Sequence, residues 1–191
     1  MARTVLHLAN TRGHANHGWL NSFHTFSFEH QDSLGNKTVI RQNDVQVMSA
    51  GTGVAHSEKN HSTNQEVKFL QIWVFPNQQG ITPRYGQQSF APADRHNRLL
   101  PVVSPDGEGN SVQLQQDAWF HLGNLDKGFA TDYAVKKAGN GVYAFVLEGN
   151  VTINGQALHR RDGFGLWEIE KLEISAESTA ELLLMEVPME F

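Results

Sequence analysis

With 191 residues, 39% of them hydrophobic and 18% charged, the chain has the make-up of a folded globular protein long enough for two small domains. A net charge of −5 disfavours direct binding to nucleic acid or to an anionic membrane, and the absence of cysteine rules out disulfides and thiolate metal sites. No apolar run reaches membrane-spanning length, and the first residues, MARTVLHLAN, lack the apolar centre of a signal peptide, so the expected location is the cytoplasm.

In chain order, Thr4 to Leu8 reads as a short strand that Asn10 to Gly13 ends with turn-forming residues. His14 and His17 follow in a Gly/Asn-rich loop, where a lone H-x-x-H pair is more often a surface feature than a ligand pair. Trp19, Phe23, Phe26 and Phe28 supply the large rings that anchor such a segment to a barrel wall, with His24 among them as a partly buried, hydrogen-bonded residue. Glu29 to Ile40 has the pattern of a hairpin with Ser33 to Asn36 at its tip. Val45 and Val47 then alternate with Gln46 and Met48 on a strand, and Gly51-Thr52-Gly53 turns the chain.

After that turn His56 and Glu58 lie two residues apart, so on an extended backbone their side chains leave one face while Ser57 leaves the other. One imidazole and one carboxylate on one face form the best candidate metal pair in the sequence. The run Phe69 to Phe75 is almost continuously apolar and suits a strand buried on both sides. PNQQGITP, Pro76 to Pro83, breaks it, and the polar stretch Arg84 to His96 reads as a crossover to a second domain.

The second half is a series of short strands: Leu99 to Val103, Val112 to Leu114, Trp119 to Leu125, and two within Val142 to Gln156, with Asn154-Gly155 as a hairpin turn. Leu172 to Ile174 and Leu182 to Val187 complete it, and no long helical pattern occurs. His121 and His159 are isolated and read as structural or solvent-exposed. The acidic residues between Glu168 and Glu181 alternate with apolar ones, as on the solvated face of paired strands. This half is read as structural.

Three stretches, HANHGWLNSFHTFSF, SAGTGVAHSEKN and FLQIWVFPNQQGITPRY, closely resemble the bacterial pirin family of double-barrel cupin proteins. The resemblance implies an all-β fold of two tandem cupin barrels, read here as residues 1–90 and 91–191, with a non-haem iron in the first. It also implies quercetin 2,3-dioxygenase activity for some members and partnership with transcription factors for others. The family's ligands are three histidines and a glutamate, two of the histidines in a His-x-His on an earlier strand. His56 and Glu58 match the later metal pair, Glu58 also being the candidate catalytic carboxylate. The earlier pair is missing: Phe26-Ser27-Phe28 runs straight into Glu29-His30-Gln31-Asp32-Ser33, and no His-x-His occurs anywhere in the chain.

The first barrel is therefore expected to be incomplete and its iron site empty or weakly held, with His14, His17, His24, His30 or His61, or a residue of a second chain, as the candidate substitute ligands. A barrel short of strands leaves backbone groups and apolar residues uncovered, which leads to an expected homodimer in which Trp19 to Phe28 covers or pairs with the other subunit. Two functions are weighed: a binding or interaction module with a degenerate site and a protein partner, and a dioxygenase that recruits substitute ligands.

Overall fold

A computed structural model describes residues 6–7, 18–25, 27–64 and 66–190, with side chains described from residue 27 onward. The placement expected for the side chains of His14, His17, Trp19, Phe23, His24 and Phe26 lies outside the described residues. Apart from two single-turn 3₁₀ segments, Pro92–Arg95 and Glu108–Asn110, every regular element among the described residues is a strand. The chain forms two compact units. One is the chain up to Phe90 with Asn110–Gln116; the other is Ala91–Gly109 with the chain from Asp117 on.

The strands of the first unit are β1 (Leu6–His7), β2 (Gly18–Thr25), β3 (Phe28–Asp32), β4 (Lys37–Ile40), β5 (Asp44–Ser49), β6 (His56–Asn60), β7 (Lys68–Val74) and β8 (Arg84–Ser89). Five of them make a sheet in the order β1-β7-β2-β5-β8 and three make a second in the order β4-β3-β6. Side chains bridge the two sheets: the Phe28 and Phe69 rings stack with centroids 5.3 Å apart, and Thr38 Oγ1 and Tyr85 Oη lie 2.7 Å apart. Within its own chain β2 is paired on both edges, to β5 and to β7. The turn after β5 needs glycine at position 51, where φ is +49° and a Cβ would strike the Ile81 carbonyl.

Arg84 to Ser89 is a strand antiparallel to β5 and not a crossover, which corrects the sequence reading of that stretch. The reason is physical. Tyr85 and Gln87 turn toward other polar side chains, so the strand has no apolar alternation to detect.

The second unit continues with β9 (Leu100–Ser104), then, after β10 (Val112–Gln113), β11 (Trp119–Leu125), β12 (Ala130–Ala134), β13 (Asn140–Glu148), β14 (Val151–Ile153), β15 (Gln156–Leu158), β16 (Gly163–Leu166), β17 (Lys171–Ala176) and β18 (Ala180–Pro188). β9-β11-β18-β13-β16 run side by side, and β12-β17-β14-β15 form a second sheet. On β17 the alternation works as expected: Leu172, Ile174 and Ala176 are buried while Lys171 and Glu173 are exposed. Those buried positions join Val142, Ala144, Val146, Val151, Ile153, Leu182 and Leu184 in one apolar core. The Asn154-Gly155 hairpin has φ of +47° and +82°, the left-handed pair a two-residue turn requires.

Candidate functional site

β3 and β6 are antiparallel neighbours, with His30 directly opposite Glu58 and Asp32 directly opposite His56. Because side chains alternate along a strand, all four leave the same face and form a square of two histidines and two carboxylates. The sequence placed His56 and Glu58 together. It did not place His30 between them, although it named His30 among the substitute candidates.

His30 is the centre of the arrangement. It is 0% exposed. Its Nε2 lies 3.3 Å from Asp32 Oδ2, and its Nδ1 lies 3.3 Å from Gln46 Nε2 and 3.5 Å from Glu58 Oε1. With Nε2–H donating to Asp32, Nδ1 accepts from the Gln46 amide. The ring stacks with two others: His56 at a centroid distance of 5.7 Å and 21° between planes, and Tyr85 at 5.0 Å and 30°. Gln46 comes from β5 and Tyr85 from β8, so both sheets of the first unit contribute to the site.

The supports of this group are fixed independently of His30. Asp32 accepts from the Leu34 and Asn36 backbone N–H groups at 2.9 and 3.0 Å and from Asn36 Nδ2 at 2.8 Å. Burial pushes the Asp32 carboxyl up, but the Asn36 side chain and backbone, His30 and the Leu34 N–H together outweigh it and hold it below its ordinary value. The Tyr85 hydroxyl donates to Gln87 Oε1 at 2.7 Å, and Gln87 Nε2 donates to Asp44 Oδ2 at 2.8 Å. Burial, reinforced by the charges of Asp32, Glu58 and Asp44 and only partly offset by the bond with Thr38, pushes the Tyr85 phenol up to about 12.

An iron or other divalent ion needs three or more protein donors converging on one point. Among the described residues no group of three or more His, Asp or Glu side chains is arranged to hold a metal ion. His61, another substitute candidate, sits on the surface with its Nδ1 3.8 Å from Glu29 Oε2. His56 and Glu58 are the part of the implied ligand set that the described residues carry.

In the second unit His159 is exposed, its Nδ1 3.1 Å from Asn150 Oδ1. His121 is buried, its ring edge-on to Tyr133 at 4.9 Å. Sequence reasoning missed Glu186 altogether. This carboxylate is 0% exposed and accepts from Tyr133 Oη, the backbone N–H groups of Lys136 and Lys137, and Asn140 Nδ2, at 2.7 to 3.0 Å. Four donors make it a structural anchor of that barrel. Among the described residues no helix is long and apolar enough to cross a membrane.

Comparison with known proteins gives consistent matches. The profile of the family described as Pirin matches residues 9–74, and that of the quercetinase C-terminal cupin domain matches residues 101–187. The quercetin 2,3-dioxygenase of Escherichia coli K12 is 35% identical over 96% of this chain and 98% of its own length. That alignment runs over 230 residues against a chain of 191, so the relative carries positions with no counterpart here. A putative quercetin 2,3-dioxygenase of Pseudomonas aeruginosa is 31% identical over 92% of this chain and 95% of its own. Among solved structures, YhhW of E. coli superimposes with a TM-score of 0.86 at 36% identity, covering 92% of this chain and 73% of that one. The structure of the same bacterial pirin in complex with nickel(II) superimposes with a TM-score of 0.85.

Proposed function

The chain belongs to the pirin family of cupin proteins, and on that premise we propose that it is a binding or interaction module whose N-terminal metal site is degenerate and does not support dioxygenase catalysis. The observation that carries the reading is the setting of Glu58. It faces a fully buried His30 at 3.5 Å, and the sequence offers no His-x-His to complete a ligand set around the His56–Glu58 pair. Two donors on one strand leave an ion dependent on water for the rest of its shell, and affinity falls accordingly. The net charge of −5 supports a protein partner over a nucleic acid.

A second reading draws on the relatives' names and on the nickel complex of the E. coli pirin. In it the chain is a metal-dependent quercetin 2,3-dioxygenase-like enzyme, iron being the metal the resemblance implies, with His30 as the substitute ligand and Glu58 as the catalytic carboxylate. Oxygen uptake with quercetin, measured with and without added ferrous iron, separates the two. The binding-module reading expects no uptake above a protein-free control, and uptake that vanishes in Glu58→Gln overturns it.

The oligomer proposed with this reading is a homodimer in the cytoplasm, an incomplete barrel being the reason for association. A monodisperse monomer in light scattering, well above micromolar concentration, contradicts the dimer.

A further inference from the structure

The interior of the first unit holds a polar cluster beside its apolar core. His30, Asp32, Asp44 and Gln46 are all buried there, beside the half-buried Thr38, Tyr85 and Gln87. Burying such groups is costly unless their partners are in place. Asp32, Gln46 and Glu58 converge on a single ring, that of His30. One acceptor next to it, Gln46 Oε1, is buried and has no hydrogen-bond partner among the described residues.

We infer that this interior is a slot for an imidazole-type nitrogen heterocycle, and that in this chain His30 is its occupant in cis. The inference deepens the binding-module reading and rests on it, since it assumes that no metal is held here. The slot has what a planar heterocycle needs. Two flat rings, His56 and Tyr85, stack near it at centroid distances of 5.7 and 5.0 Å, and polar partners meet both ring nitrogens, Asp32 at Nε2 and Gln46 at Nδ1. A metal ion needs a different arrangement, three or more donors aimed at one point, and the described side chains do not provide it.

Two walls of the slot are also fixed without its occupant. Asp32 is held by the Leu34 and Asn36 N–H groups and by Asn36 Nδ2, all from the β3–β4 turn. Tyr85 is held by Thr38 and Gln87. Removing the His30 ring therefore leaves a hole whose Asp32 and Tyr85 walls stay in place. A polar, preformed hole is refilled by the fragment that was cut out.

The test uses the full chain carrying His30→Ala, with imidazole as the probe. Imidazole is expected to raise the melting temperature of the variant saturably, by about 5 °C or more once it stands a hundredfold above its dissociation constant, and to leave the wild type unmoved. Cyclopentanol, a ring of similar size without the two nitrogens, is expected to do nothing. An equal response to both probes, or none to imidazole, overturns the inference.

Should the alanine variant fail to fold, the wild type answers by nitrogen NMR. A His30 ring N–H protected from exchange, and absent in His30→Gln, supports the slot; a ring N–H in free exchange with solvent overturns it. Metal analysis separates this failure from that of the functional reading. Nickel taken up one per chain by His30→Ala but not by the wild type overturns the slot alone, while nickel bound by the wild type overturns the binding-module reading beneath it.

Discussion

Acid between pH 6.5 and about 4 should weaken the C-terminal barrel chiefly through His121. The ring is 4% exposed, and burial, with a smaller contribution from the Lys136 charge, depresses its pKa from 6.5 to about 4. The unfolded chain takes up a proton on this residue as the pH falls through 6.5, while the folded chain resists until about 4. Stability is therefore full above the unfolded value, falls as the pH drops through the window between the two, and levels off below it. The depression corresponds to about 3 kcal/mol at the bottom of that window. His121→Leu keeps an apolar side chain opposite Leu184 on β18 and removes the titrating group. Urea denaturation read by amide exchange at Ala144 and Leu184 should show the wild type losing stability across the window by about 3 kcal/mol more than the variant. Identical slopes in the two proteins would refute the reasoning, because the proton would then be entering elsewhere.

Glu186→Ala should cost about 3 kcal/mol, because it removes the acceptor of four donors at once, two of them buried, and Glu186→Gln, which keeps one acceptor oxygen, should cost less; urea denaturation compares them. Tyr85→Phe should cost about 2 kcal/mol by removing the hydroxyl shared by Thr38 and Gln87, and it should abolish the phenol that ionises near 12 in an ultraviolet titration. Gly155→Ala should destabilise the β14–β15 hairpin by about 1 kcal/mol, since φ there is +82°; faster exchange of the β14 amides is the readout, and an unchanged rate contradicts it.

The apolar elements were legible in the sequence because one face of each must be buried. β7, β11 and β17 carry the runs or alternations that mark a strand, and Asn154-Gly155 marks a hairpin through backbone conformation alone. β8 was not legible because its partners are polar, and a strand that buries Tyr and Gln looks like a loop to any hydrophobic pattern. Glu186 was hidden in an apolar run for the opposite reason: its four donors come from Tyr133, Asn140 and two backbone groups some fifty positions earlier in the chain.

The site was half legible. A two-residue spacing on one strand placed His56 beside Glu58, because the strand period is local. The position of His30 depends on the register between β3 and β6, which the spacing of neither strand contains. The same holds for Gln46, which reaches His30 from the opposite sheet.

Metal content is the most direct test of the degenerate site. Protein purified without added metal, and again after anaerobic incubation with ferrous iron and desalting, should retain well under one ion per chain by elemental analysis. Near-stoichiometric iron that disappears in His56→Ala would contradict the binding-module reading and restore a working metal centre.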